Sequence, residues 1–157
     1  MSLGRFDSGR SKVPTVSASV TDCARSVIVD SGVLVAAIDA DESDHEWSVR
    51  SLSSLRGRFV TCEACITEAV HLLGNSAPAV AALRRLVERM TVVSFADGPW
   101  SDALAEVVRF SPNMDFADAC VVQLVRSRRD AFALTLDRSD FATYKVSFAC
   151  PDGEFHV

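Results

Sequence analysis

Ser26 to Ile38 reads SVIVDSGVLVAAI, and this stretch decides the fold. Val27-Ile28-Val29 is a short β-branched run closed by Asp30, the signature of a buried strand. Ser31 to Ile38 follows with no turn signal and predicts a helix. A buried strand passing straight into a helix is the repeating unit of a parallel sheet. The alternation continues outward from there. A helix is expected from about Ser43 or Asp44 to Leu55, a strand at Phe59–Thr61, and a helix from Ala64 to Leu73 stopped by Gly74-Asn75. Pro78 opens a helix to about Met90, and Thr91–Ser94 is strand-like. After the Gly98-Pro99 break, helices are expected at Ser101–Phe110 and Asp115–Arg128, then a strand at Phe132–Leu136 ending at Asp137. Glu154–Val157 reads as a last edge strand. The pattern implies an α/β fold, a three-layer sandwich whose mostly parallel central sheet is flanked by helices. Residues 1–25 carry Ser, Thr and Arg without an apolar period. They are expected to be a mobile N-terminal extension to a single domain of residues 26–157.

The 157 residues suit one domain. Acids outnumber bases 21 to 16, for a net charge of −5. That balance argues against a protein held to nucleic acid or membrane by a general positive field, but it leaves nucleic acid open as a substrate. No apolar stretch reaches the roughly 18–20 residues that span a bilayer, and Met1 to Lys12 lacks a secretory apolar core. The expectation is a cytoplasmic protein with no membrane partner. Its five cysteines, an odd number, are expected to be reduced. Cys62-x-x-Cys65 reads as a pair of buried structural thiols. No Pro follows it as in redox motifs, and no second ligand pair with zinc spacing exists. His71, within an apolar helix, reads as a core or interface residue.

Two strands end in aspartate, Asp30 and Asp137, and ligands of open parallel sheets bind outside the carboxyl ends of strands. Each could instead cap the helix that follows. Asp115 and Asp118 share a helix face. Asp115 is expected to cap the amide of Asp118. Asp118 is expected to face inward, in line with Val121, Val122 and Val125. Glu63 and Glu68, five residues apart, lie roughly 140° apart on a helix, so both cannot serve one site. Glu68, beside the buried stripe, is the site candidate. Carboxylates brought together repel one another unless a divalent ion joins them, and hard oxygen ligands select Mg²⁺ or Mn²⁺ over zinc. Such an ion supports hydrolysis of a phosphodiester.

Four segments carry a family resemblance: Val29-Asp30-Ser31-Gly32-Val33-Leu34-Val35-Ala36, Ile66-Thr67-Glu68-Ala69-Val70-His71-Leu72-Leu73, Met114-Asp115-Phe116-Ala117-Asp118-Ala119-Cys120, and Leu134-Thr135-Leu136-Asp137-Arg138-Ser139-Asp140-Phe141. In order and at this spacing, over residues 26–157, the chain resembles the PIN-domain ribonucleases, and most closely the VapC-type toxins of type II toxin–antitoxin pairs. The resemblance implies that Asp30, Glu68, Asp118 and Asp137 are catalytic and bind Mg²⁺ or Mn²⁺, with a water activated to attack an RNA phosphodiester. It places Ser31, Asp115, Thr135 and Asp140 around them as supporting residues. It further implies a metal-dependent endoribonuclease with an RNA substrate and a cognate antitoxin protein, whose helix or arm would lie in a groove of the toxin and bring a basic residue to the acids. Asp44-His45 resembles an element that follows the family's first helix. The apolar helices Ser31–Ile38 and Ala64–Leu73 suggest a homodimer.

Arg84, Arg85 and Arg89, and Arg126, Arg128 and Arg129, form two basic clusters. A solvated helix face is the favoured reading, and a phosphate-contacting rim for RNA is the other. Rival functions also stand beside the leading one. An aspartate-based phosphatase would want Asp-x-Asp at the first strand, where position 32 is Gly32. A PIN-fold nuclease of RNA processing outside a toxin pair, or a non-catalytic nucleic-acid-binding PIN module, shares the fold; the latter would be expected to have lost an acid, and all four are present. Without those four the remaining acids outnumber the 16 bases by one. The acid excess is thus concentrated in the expected site.

Overall fold

The computed structural model describes residues 25–96 and 98–155. The expected extension therefore lies outside the described residues, except for Arg25, which contacts the sheet. Its carbonyl accepts the Arg58 amide at 2.9 Å, and its guanidinium sits 4.2 Å from the centre of the Phe132 ring. Gly57 makes that approach possible. Its φ is +149°, and a Cβ there would collide with the Arg25 carbonyl oxygen.

In chain order the elements are β1 (Ser26–Val29), α1 (Ser31–Ile38), α2 (His45–Ser54), β2 (Arg58–Cys62), α3 (Glu63–Leu72), α4 (Ala77–Val87), β3 (Thr91–Val93), α5 (Trp100–Phe110), α6 (Phe116–Arg126), β4 (Ala131–Leu134), α7 (Arg138–Tyr144), β5 (Phe148–Cys150) and β6 (Gly153–Phe155). The six strands form one sheet in the order β3-β2-β1-β4-β5-β6. All pairings are parallel except β5 with β6. β1 is central: Val27 stands opposite Phe59 on one side and Phe132 on the other. Val27, Ile28 and Val29 are fully buried, as a strand covered on both faces must be.

Successive connections run outward to β3, then return across the sheet to β4 and run outward to β6. Right-handed crossovers in the two directions put helices on both faces. The direction reverses between β1 and β4, and there the chain leaves adjacent strands toward opposite layers, opening a crevice at their carboxyl ends.

Several sequence expectations need correction. β4 ends at Leu134, so no strand delivers Asp137 directly. The Thr135 hydroxyl accepts the Asp137 amide at 3.1 Å and turns the chain into α7. Neither α7 nor β5 was expected. α7 has only Phe141 and Tyr144 buried, too few to show a period, and β5 is three residues with no β-branched member. The final strand starts at Gly153; His156 and Val157 lie outside the described residues. α1 is a core helix with Val33, Leu34 and Val35 buried, which leaves it little apolar surface to offer a second copy. Exposed apolar residues lie on other elements, among them Leu72 on α3 and Leu104 and Val108 on α5, with Val108 78% exposed.

Candidate active site

Asp30 caps α1 at the reversal between β1 and β4. Its backbone amide donates to Leu134 O at 3.0 Å, extending the sheet by one bond. Its Oδ1 accepts the Ser31 amide at 2.7 Å, and its Oδ2 accepts the Thr135 hydroxyl at 2.7 Å. Thr135 and Ser31 are both buried. Burial pushes the Asp30 carboxyl up to about 6; the Thr135 and Ser31 hydrogen bonds oppose this, and the charges of Glu68 and Asp115 add to it.

The second carboxylate comes from α6. Asp115 caps this helix, its Oδ1 accepting the Asp118 amide at 2.8 Å, as the Asp-x-x-Asp spacing predicts. One turn in, Asp118 is half-buried. Its carboxyl is pushed up to about 8 by burial first, then by the charges of Asp30 and Asp115. The Tyr144 hydroxyl lies 3.0 Å from Asp118 Oδ2 and opposes that rise. Tyr144 was missed in the sequence. It is fully buried at the end of α7, with its ring edge-on to Phe110 and Phe141 at 5.3 and 5.5 Å, and the hydroxyl also lies 3.0 Å from Asn113 O. Burial, then the Asp118 charge, holds its phenol well above the ordinary range.

Glu68, on α3, is half-buried and close enough for its charge to act on Asp30. Glu63, one helical turn and more away, is not merely a solvated first-turn acid. Its Oε2 accepts the Phe95 amide at 3.0 Å and ties α3 to the segment after β3. Asp137 stands at the margin. It is exposed, and its Oδ1 caps α7 by accepting the Asp140 amide at 2.9 Å and the Ser139 hydroxyl at 3.1 Å. From α7 it is Asp140 whose charge raises Asp118. Asp140 is itself raised by burial, then by Asp137. The structure thus links the acids through their charges: Glu68 and Asp115 act on Asp30, Asp30, Asp115 and Asp140 act on Asp118, and Asp137 acts on Asp140.

None of the ion pairs Arg84–Glu88, Arg109–Glu106, Arg126–Glu106 and Arg138–Asp152 involves these carboxylates. Among the described residues no three His, Cys, Asp or Glu side chains stand close enough to form a finished ligand set. The donor chemistry nonetheless fits a hard divalent cation. Every donor is oxygen, and the two inner carboxyls are raised by burial and by neighbouring carboxylate charge, a penalty that a cation offsets.

The two arginine clusters are not at this edge. Arg128 and Arg129 directly precede β4, at the opposite end of the strand from Thr135. Arg128 donates to Leu124 O at 3.2 Å and to the Ser127 hydroxyl at 3.0 Å. Arg126 bonds Glu106 at 2.7 Å and Tyr144 O at 2.9 Å, joining α5, α6 and α7. Arg84 and Arg85 lie on the last turn of α4, leading toward β3, and Arg84 pairs with Glu88. Among the described residues the base next to the acids in sequence is Arg138, which opens α7 and lies 3.5 Å from Asp152.

Cys62, Cys65 and Cys120 are buried, free thiols beneath the site, with the Sγ atoms of Cys62 and Cys65 3.6 Å apart. Hydrogen bonding to Cys62, then burial, holds Cys65 and Cys120 high. His45 Nδ1 lies 2.7 Å from Ala36 O and pins α2 to α1, which gives the Asp44-His45 element a structural task.

A family model described as PIN domain matches residues 27–146. Among solved structures the chain is similar to VapC20 of Mycobacterium tuberculosis, described as a sarcin–ricin-loop-cleaving toxin. The identity is 21%, the match covers 74% of this chain and 93% of that one, and the TM-score is 0.66. It is also similar to VapBC2 from Rickettsia felis bound to a DNA fragment from their promoter, at 10% identity, 75% and 92% coverage and a TM-score of 0.54. At these identities the likeness is one of fold. No match was found among curated proteins.

Proposed function

The chain belongs to the PIN-domain family, whose members are generally nucleases, and from that premise we propose that it is a metal-dependent endoribonuclease, the toxin of a type II toxin–antitoxin pair. The observation that carries the reading is the pairing of Asp30 and Asp118. They arrive from separate elements at the reversal of the sheet, both are raised by burial and like charge, and no base in the ion pairs above neutralises them.

Asp30, Glu68 and Asp118, with Asp137 and Asp140 at the rim, would hold one or two Mg²⁺ or Mn²⁺ ions. Such a cation, when bound, supplies stabilisation of the phosphate's growing charge and a water acidic enough to attack it. The rest falls to the chain. Thr135 and the Ser31 amide fix both oxygens of Asp30, so the carboxylate is oriented before any ligand arrives. Tyr144 fixes Asp118 in the same way. In the balanced reaction a water oxygen bonds to phosphorus, one P–O bond of the RNA backbone breaks, and the departing oxygen leaves with a proton.

The likeness to a VapBC complex supports a cognate antitoxin as partner. A groove of about 560 Å³ between α1, α2 and α4, lined by Ile38, Val49, Leu52, Phe59, Leu86 and Met90 together with Ser53 and Arg89, suits the apolar face of an antitoxin helix. A homodimer would use Leu72, Leu104 and Val108 rather than α1. No helix among the described residues is long and apolar enough to cross a membrane, and a cytoplasmic site of action is part of the proposal.

The test is direct. The purified chain should cut RNA in Mg²⁺ or Mn²⁺ and stop in excess EDTA, and Asp30→Asn should be inactive with an unchanged circular dichroism spectrum. Wild-type cleavage by Asp30→Asn, or cleavage in EDTA, would overturn the mechanism. Growth arrest on expression, relieved by the product of a small neighbouring reading frame, tests the toxin role.

A further inference from the structure

A cavity of about 740 Å³ opens beside the acidic cluster and shares Glu68 and Asp115 with it. It falls within the size range of small-ligand sites. Phe95, Trp100 and Phe116 contribute its aromatic surface. Trp100 is 52% and Phe116 36% exposed. Neither joins the ring contacts Phe110–Tyr144, Phe141–Tyr144 and Phe141–Phe148. Two large rings are thus left showing to solvent within one concavity, at the margin of the candidate reaction centre.

The charge of the walls narrows the occupant. Three acids, Glu63, Glu68 and Asp115, line the cavity with one histidine, His71, and among the described residues no Lys or Arg does. A phosphate group would be repelled here, so whatever enters must be uncharged or cationic, with flat apolar faces. In a polynucleotide the phosphates alternate with groups of that description, the bases. A base one ribose away from a phosphate held at the acids would arrive at this cavity, provided that it is unstacked from its neighbours.

Resting on the ribonuclease reading, we propose that the cavity receives an unpaired nucleobase adjoining the scissile phosphate, stacked on Trp100 and Phe116. The acids then position the backbone while the aromatic cavity selects RNA whose bases can be splayed out, as in loops and single strands. Trp100 and Phe116 are binding residues in this scheme and take no part in bond making or breaking.

Trp100 supplies its own probe. The chain has two tryptophans, Trp47 and Trp100, so Trp47→Phe leaves Trp100 as the only one. That protein is titrated in Mg²⁺ with a mixed-sequence single-stranded octaribonucleotide and, separately, with an abasic ribose-phosphate chain of the same length. The octamer should quench Trp100 emission and the abasic chain should not. In the otherwise native chain, Trp100→Ala and Phe116→Ala should each weaken octamer binding by roughly 5- to 150-fold, the range for loss of one base–aromatic stack. Trp100→Phe should recover most of the affinity, and the losses should fall on KM more than on kcat. Equal quenching by the abasic chain, or none by either, overturns the proposal. So does a Trp100→Ala protein that keeps its RNA affinity but sediments as a smaller species, which would assign the cavity to a subunit contact. Quenching by an Arg-rich peptide but not by RNA would assign it to a protein arm instead. Quenching by an octamer that is never cut supports the base site and refutes the nuclease reading, so the two failures are distinguishable.

Discussion

The Thr135 hydroxyl lies 2.7 Å from Asp30 Oδ2, across 105 positions of sequence. It joins the ends of β1 and β4, and it also accepts the Asp137 amide, so one oxygen sets both the inner carboxylate and the entry to α7. Thr135→Val would keep the shape and remove both bonds. A buried carboxylate oxygen and a backbone amide would lose a partner, at a cost of about 2–3 kcal/mol. The hydrogen bond also lowers the Asp30 carboxyl, so its loss should carry that group above its present value of about 6. The expected result is a lower unfolding midpoint in urea and an acid limb of the activity profile displaced to higher pH.

The raised acids make a signed statement about stability. The unfolded chain gives up the Asp30 proton near pH 3.8, whereas the folded chain holds it to about pH 6. As pH rises through that window the unfolded state ionises first, so the contribution of Asp30 is fully present below it and lost above it. The loss is on the order of 3 kcal/mol. Asp118, raised to about 8, continues the decline toward that pH, less steeply because it is half-exposed. Urea unfolding in EDTA should therefore show stability falling from pH 4 to pH 8. Mn²⁺ should reverse the fall, since it offsets the repulsion. Asp30→Asn should flatten the lower part of the curve, and an unchanged curve in that variant would show that the pH dependence arises elsewhere.

Tyr144→Phe tests the support of Asp118. The ring still packs against Phe110 and Phe141, so the loss in stability should stay near about 1 kcal/mol. The hydroxyl's bond lowers the Asp118 carboxyl, and removing it should raise that group further. At neutral pH less of the ionised form is then available to a cation. The expected outcome is a several-fold higher Mg²⁺ requirement for cleavage, with the requirement approaching that of wild type as pH is raised above 8.

Arg126 separates a structural role from a nucleic-acid contact. Its guanidinium holds Glu106 and the Tyr144 carbonyl, and the Glu106 side chain is largely buried, with Oε2 lacking a partner. Arg126→Ala should destabilise the chain by about 1–3 kcal/mol by leaving a shielded carboxylate with only the more distant Arg109, at 3.7 Å, as its cation. RNA affinity, measured well below the unfolding temperature, should not change. Arg129→Ala, at the same edge of the sheet, should change neither.

What the sequence could show was set by how local each cause is. The β1–α1 unit was legible because three β-branched residues and a capping acid act within a few positions of one another. The Asp115 cap was legible for the same reason, since its bond spans three residues. Tyr144 was not: it reaches Asp118 through a seven-residue helix with two buried positions, too short to impose a period. The apparent arrival of Asp137 on a strand failed because Thr135 turns the chain earlier, and that turn depends on Asp30, far away in sequence. The arginines read as a cluster along the chain, but only the sheet's direction shows that they lie at the wrong end of β4. The cavity beside Glu68 needs α3, α6 and the segment between β3 and α5 to meet, so no single stretch of sequence announces it.

Both outer strands of the sheet, β3 and β6, are three residues long. An edge that short exposes few free amides and carbonyls, so copies of this chain gain little by extending one sheet into another. Amyloid-like stacking is disfavoured for the same reason, and Glu154 adds a charge to the β6 edge. Self-association must then proceed through side chains on helices, where Leu104 and Val108 on α5 stand one turn apart and exposed. A charge introduced at Val108, 78% exposed, would act as a solubility lever: it would suppress association while leaving the buried sheet undisturbed.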